Sequence, residues 1–294
     1  MFAGIAFALL AGCCFAVGAG LFAEVSRRGL PFMLFLSIGA LIGLAISLLV
    51  IVDWPAVNSE KRIGEMSLWI IPGALANVAG HLAMSRAMST GRAPVAWAIG
   101  QGGQSVTFIA TVLIWNETAG IFSWLGLGLV LAGVALLSQA KTGSADVSPR
   151  RGWIFWSLAA MLIYGVNQTL MSVPSHWQGW HDSAHLRLPI TLGSIGFAGI
   201  MCSLGSDRHV FRRLLPWGVS YGIVICACFA MIYLSLDRLG AAGAAAIAWP
   251  LACSMGVVGY AVWEHAVQHR HVTRAEIFGI AVVVAGIGSL AMRK

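Results

Sequence analysis

Charge is what this sequence lacks. Only 10% of its 294 residues are charged, against about 25% in a soluble domain. No water-facing surface can be assembled from such a chain. Acids are the scarcest, 11 Asp and Glu against 18 Lys and Arg. Every acid lies at or near the end of an apolar run, as Glu24, Asp53, Glu117 and Asp237 do. The cost of a charge at the bilayer centre explains that distribution, which also argues against a carboxylate-rich ion site at the midplane. There is no CxxC pair. Cys13, Cys14, Cys202, Cys226, Cys228 and Cys253 all lie in apolar runs and read as small core residues, not as metal ligands or disulfides. A phosphate loop is missing too. The Gly-rich GQGG at 100–103 sits inside an apolar run, with no strand before it and no Lys after it, so it reads as close helix packing or local unwinding. Direct ATP drive within this chain is thereby excluded. Neither a nucleophile–base cluster nor a pair of intramembrane acids is found, so no enzyme and no cofactor are expected. The net charge of +7 would point to nucleic acid in a soluble protein. Here the Lys and Arg separate apolar runs, so anionic lipid and topology account for them, and no nucleic-acid partner is expected.

What is abundant is hydrocarbon. The chain is 59% hydrophobic with a mean hydropathy of +0.83, 35 Gly and 12 Trp. Small residues let membrane helices approach closely, and Trp marks the interfaces. A spanning helix needs roughly 20 apolar residues. Ten such segments are readable, at about 3–23, 31–52, 67–88, 93–115, 119–139, 153–173, 188–205, 214–236, 241–263 and 274–292. The first lacks a basic leader and is read as a helix, not a signal peptide. The expected fold class is an all-α integral membrane protein of ten transmembrane helices in two inverted five-helix repeats. Residues 1–140 form the first repeat, 141–152 a polar linker, and 153–294 the second.

The repeat is visible in the residues. AMSTGRAPVAWAIGQ…IWNETAG…LAGVALLS (87–138) matches SLDRLGAAGAAAIAWP…VWEHAVQ…VAGIGSLA (235–291). Gly91 pairs with Gly240, Trp115 with Trp263, and Gly133 with Gly286. Five spans is an odd number, so the second half enters the membrane upside down. Twelve of the 18 Lys and Arg lie in the loops after segments 1, 3, 5, 7 and 9, and six, including Arg187, lie on the opposite side. This bias puts the 141–152 linker in the cytoplasm and both termini outside.

The ten spans, the two five-helix halves and the stretch PVAWAIGQGGQSVTFIATVLIWNETAG…GLVLAGVALLS (94–138) resemble the drug/metabolite transporter superfamily, EamA-like. Within it the chain looks nearest to the glucose/ribose uptake proteins and the rhamnose–proton symporter. The resemblance implies a central cavity lined by spans 1, 3, 4, 6, 8 and 9, and a bacterial inner membrane location. It does not fix the solute.

Polar side chains inside spans are costly and therefore informative. Asn77 and His81 are four apart, on one helical face. Trp97, Gln101 and Gln104, spaced four and three, form a second stripe. Tyr164, Asn167 and Gln168 follow in span 6, Tyr221 in span 8 and Trp249 in span 9. Amides offer donors and acceptors, and Trp and Tyr rings can cover an apolar sugar face. This lining suits a neutral, hydroxylated solute. The competing reading is interhelical hydrogen bonding. His81 reads either as a proton-coupling site or as a neutral histidine bonded to Asn77 or a backbone carbonyl. Glu24 and Arg86 read as a gate ion pair or as topology anchors. His176, His181 and His185 share a Trp-rich loop without a matching carboxylate or Cys set, so no metal is expected. The expected function is a secondary active transporter moving a small polar organic solute, a sugar or polyol, by alternating access, with protons as an open coupling partner. The alternative is an exporter of amino acids or related metabolites.

Overall fold

The computed structural model describes residues 1–294 except 60–61, 91–92, 140–151, 179, 181–182, 204–207, 269–273 and 293–294. The 141–152 linker therefore lies almost wholly outside the described residues. The elements are α1 (Phe2–Arg27), α2 (Phe32–Ile46, continued by a π-helical turn Ser47–Ile51), α3 (Trp54–Ser59), α4 (Ile63–Thr90), α5 (Ala93–Gln101), α6 (Gly103–Trp115), α7 (Ile121–Gln139), α8 (Trp153–Ser172, continued by a 3-10 turn Val173–His176), α9 (Ala184–Cys202), α10 (Arg208–Gly240), α11 (Ala248–Gln268, preceded by a 3-10 turn Ala245–Ile247) and α12 (Arg274–Ala291). No strand occurs among the described residues. The fold is an all-α, multi-pass membrane fold. Seven helical segments are each long and apolar enough to cross a bilayer. The α5–α6 pair, α7 and α12 complete the ten expected segments.

The expected start of span 7 at 188 is late. Helix α9 begins at Ala184, which puts Arg187 in its first turn. Its N-terminal N–H groups are satisfied from another helix: Ser183 N–H and Ala184 N–H donate to Asp237 Oδ2 at 3.0 and 3.1 Å. Ser183 stands at the N-cap, but its side chain makes no capping hydrogen bond, and Asp237 takes that role.

Exchange symmetry runs through the packing. Pairing α1 with α8, α2 with α9, α4 with α10, α5–α6 with α11 and α7 with α12 maps the most extensive contacts onto one another. α4 packs on α8 as α10 packs on α1, and α1 packs on α11 as α8 packs on α5 and α6. The α2–α9 and α7–α12 pairs map onto themselves. Glycines make the last of these intimate. A Cβ on Gly133 would lie 2.6 Å from Val283 Cγ2 and 2.9 Å from the Gly279 carbonyl oxygen. A Cβ on Gly286 would lie 2.8 Å from Val130 Cγ2 and 2.9 Å from the Gly126 carbonyl oxygen. The same residue types meet the same atoms from both sides, as an inverted repeat requires. The bundle has a basic end, where α1 finishes at Arg27, and a far end, where α8 and α10 finish.

Candidate functional site

A cavity lies between two helix triplets. One wall is α4, α5 and α8; the other is α1, α10 and α11. About 70 Å³ of it can take the centre of a water molecule. These six elements correspond to the spans that the resemblance implied.

The first wall presents Asn77 and His81 from α4, Trp97 and Gln101 from α5, and Tyr164, Asn167 and Gln168 from α8. The second wall adds Tyr221 from α10 and Trp249 from α11. Eight of the nine expected solute contacts and His81 thus surround one space. Two of the eight are committed to packing: Asn167 Nδ2 donates to the Gly73 carbonyl at 2.7 Å, and Gln168 joins Thr107 Oγ1 at 3.0 Å and Cys253 Sγ at 3.7 Å. The Tyr164 side chain lines the cavity, and its hydroxyl is buried with no hydrogen-bond partner among the described residues. Trp249 Nε1 donates to Ser172 Oγ at 3.0 Å, and its ring stacks on Phe15 at 6.4 Å between centroids, so this ring is a fixed wall.

The ninth contact, Gln104, does not line the cavity. Its stripe with Trp97 and Gln101 is interrupted where α5 gives way to α6 at Gly102, whose N–H donates to the Ile99 carbonyl at 2.9 Å. This is local unwinding at GQGG. Gln104 lies beyond it, fully buried, with neither amide atom partnered among the described residues.

His81 Nδ1–H donates to the Asn77 carbonyl oxygen at 2.8 Å, which leaves Nε2 as an acceptor. Its ring lies among Phe22, Phe32 and Tyr164, with centroids 5.4–5.9 Å away. The basic end of the cavity is closed by this aromatic cluster, extended by Phe35 and Tyr221 at 4.8 Å. No carboxylate, lysine or arginine lines the cavity among the described residues.

Glu24 and Arg86 do not form a gate pair. Glu24 binds Arg27 and, at 2.6 Å, Arg28 on its own side of the membrane, while the Arg86 guanidinium lies over the Trp156 ring at 4.9 Å. Side chains three and four residues apart meet at no cost in chain rearrangement, and that local choice wins. The histidines of the Trp-rich loop also separate. His176 Nε2 meets Glu117 Oε1 at 3.1 Å and its ring stacks on Trp115 at 4.0 Å. His185 lines a different pocket, beside Ile51, and His181 lies outside the described residues. Of the six cysteines, Cys13 and Cys202 are exposed on the helix surface and not in the core; Cys14, Cys228 and Cys253 line the cavity.

Sequence reasoning missed the far end. Arg187 and Asp237 are fully buried and paired. Arg187 also donates to Ser175 Oγ at 2.9 Å, the Met171 carbonyl at 3.2 Å and the Tyr233 carbonyl at 3.2 Å. This clamp ties the end of α8 to α9 and α10. Arg187 is therefore no interfacial charge, and the opposing Lys and Arg fall from six to five. Glu117 does similar work nearby: it accepts from Ala245 N–H at 3.0 Å and Ala246 N–H at 2.9 Å, anchoring the 3-10 turn before α11. The one signal in the sequence was an acid beside an apolar run, which an interfacial anchor also gives.

Residues 2–139 match the EamA-like transporter family. The match covers 138 of the 294 residues, the first five spans and not the second five. It reaches the family and no sugar-uptake branch of it. No curated protein sequence matches. A solved structure described as "Crystal structure of protein" is similar over 98% of this chain and 95% of its own, with a TM-score of 0.62 at 14% identity. That likeness shows a shared fold.

Proposed function

We propose that the protein moves a neutral, hydroxylated organic solute, a sugar or polyol, through the central cavity by alternating access. The observation that carries this reading is the lining: amides, phenols and indole rings, with no charged side chain among the described residues apart from a protonatable His81. Amides and hydroxyls donate and accept, as sugar hydroxyls do. A zwitterionic amino acid would leave both its charges unpaired in this space, and burying unpaired charge is costly. The basic end is read as cytoplasmic, in a bacterial inner membrane. His81, the one basic side chain on the cavity wall among the described residues, is the candidate for proton coupling. Proteoliposomes carrying the protein should accumulate labelled sugars and not amino acids. Uptake of amino acids alone would replace this reading with the metabolite-exporter one. Accumulation should rise with a pH gradient and lose that rise in His81→Gln, which keeps hydrogen bonding without titrating near neutral pH.

A further inference from the structure

One carboxylate at the far end joins three segments. Helix α6 gives way at Asn116, the one non-glycine residue with positive φ among the described residues, at 51°. Glu117 follows that turn. Its two oxygens accept from Ala245 N–H and Ala246 N–H at 3.0 and 2.9 Å, and Oε1 also meets His176 Nε2 at 3.1 Å. A residue of the first half thus holds the end of α8 and the turn before α11, both in the second half. The Glu117 and His176 side chains are each only 7% exposed, so little solvent can stand in for a missing partner. The network continues to the cavity wall. His176 Nδ1 meets the Ser172 carbonyl oxygen at 2.9 Å, and Ser172 Oγ accepts from Trp249 Nε1 at 3.0 Å.

The Glu117–His176 contact requires a proton. A carbonyl oxygen only accepts, so Nδ1 carries hydrogen and donates to Ser172. A neutral ring then has a bare lone pair on Nε2, which would face a lone pair of Glu117 Oε1. The contact is a hydrogen bond only when one further proton lies between ring and carboxyl, whichever of the two atoms carries it. The ring lies flat on Trp115, with 4.0 Å between centroids and 9° between planes, a stack that suits an imidazolium. We propose that Glu117 and His176 form a proton-binding site that locks the far end. With the proton bound, α8 is tied to the α6–α7 loop and to the turn before α11; its loss to water releases them. The site is separate from His81, which lies toward the basic end. Imidazole is the side chain that exchanges its proton between about pH 5 and 8, so the lock holds in acid and is lost as pH rises. The other charges at this corner have partners of their own. Arg187 of α9 pairs with Asp237 of α10 and lies over the Tyr233 ring at 4.6 Å, and both charges bond Ser175, next to His176. Arg62 lies over the Trp177 ring at 4.2 Å. α7 and α12 bring Ser123 and Leu290 to the Glu117 pocket, and neither titrates there. The proposal rests on alternating access and on no particular solute.

The test is hydrogen–deuterium exchange of the purified full chain, read by mass spectrometry at the Ala245 and Ala246 amides. After correction for the intrinsic rise of exchange with pH, their protection should fall about tenfold between about pH 5.5 and about pH 8.5, the scale of one charge-assisted hydrogen bond. Amides inside α7 and α12 should keep their protection, which separates unlocking from general loosening. His176→Gln donates to Glu117 from an amide that does not titrate, so its turn should be protected alike at both pH values. Glu117→Gln donates from its own amide to a neutral His176, and the same flat profile is expected. Protection independent of pH in the wild type, or a fall that persists in both variants, overturns the proton site. No solute enters this measurement, so failure here leaves the neutral-solute reading to the uptake assay.

Discussion

The α4–α5–α8 wall and the α1–α10–α11 wall are built alike and lined differently. Their helices pack by the same exchange rule, down to glycines meeting equivalent partners. Their cavity faces do not follow it: Tyr164 stands where Phe15 stands, and Asn167 where Gly18 does. Repeat symmetry therefore governs backbone approach, where small residues are needed to bring helices together. It is relaxed on the cavity faces. The two ends of the cavity differ in the same spirit. The far end is held by the buried Arg187–Asp237 pair and Glu117, and the basic end by packed aromatic rings.

Breaking the contrast between the ends should give the largest effects. Asp237→Ala strands a buried guanidinium and should destabilise the fold by about 3–5 kcal/mol. Phe35→Leu in the aromatic cluster should cost about 1 kcal/mol, because volume is largely kept. Thermal unfolding in detergent measures both, and equal losses would erase the distinction between a polar clamp and an apolar plug. The packing symmetry is tested next. Gly133→Val on α7 and Gly286→Val on α12 crowd the Gly279 and Gly126 carbonyl oxygens, each 2.9 Å from the added Cβ atom. Each should cost about 1–3 kcal/mol, and the two melting shifts should agree; a large difference would break the symmetry argument. A smaller effect of opposite sign is expected at Gln104. Gln104→Leu removes two unpartnered buried polar atoms and should stabilise by about 1 kcal/mol without changing solute affinity. Gln101→Ala, by contrast, should weaken binding severalfold at unchanged stability.

Much of this was legible in the residues. Apolar runs located the spans because the bilayer fixes their length. The polar positions of spans 3, 6, 8 and 9 located the cavity because lipid leaves them nowhere else to face. Two things were not legible. Gln104 continues the periodicity of Trp97 and Gln101 on paper, but the break at Gly102 redirects the chain, and periodicity carries no sign of a broken axis. Arg187 and Asp237 sit beside apolar runs 50 residues apart. Their pairing depends on α9 and α10 meeting end to end, a tertiary fact that local hydropathy does not encode.

The Tyr164 hydroxyl is one of the polar groups that distinguish one wall from its mate, and Tyr164→Phe makes that position match Phe15. Solute affinity and melting temperature, measured on the same purified protein, separate the two roles that a buried hydroxyl can have. If it reads the solute, the variant melts no lower than wild type, since an unpartnered buried group is removed, and it binds the preferred sugar about three- to tenfold more weakly. Unchanged affinity in a variant of equal or higher stability would contradict a recognition role, because the polar wall would then be packing alone.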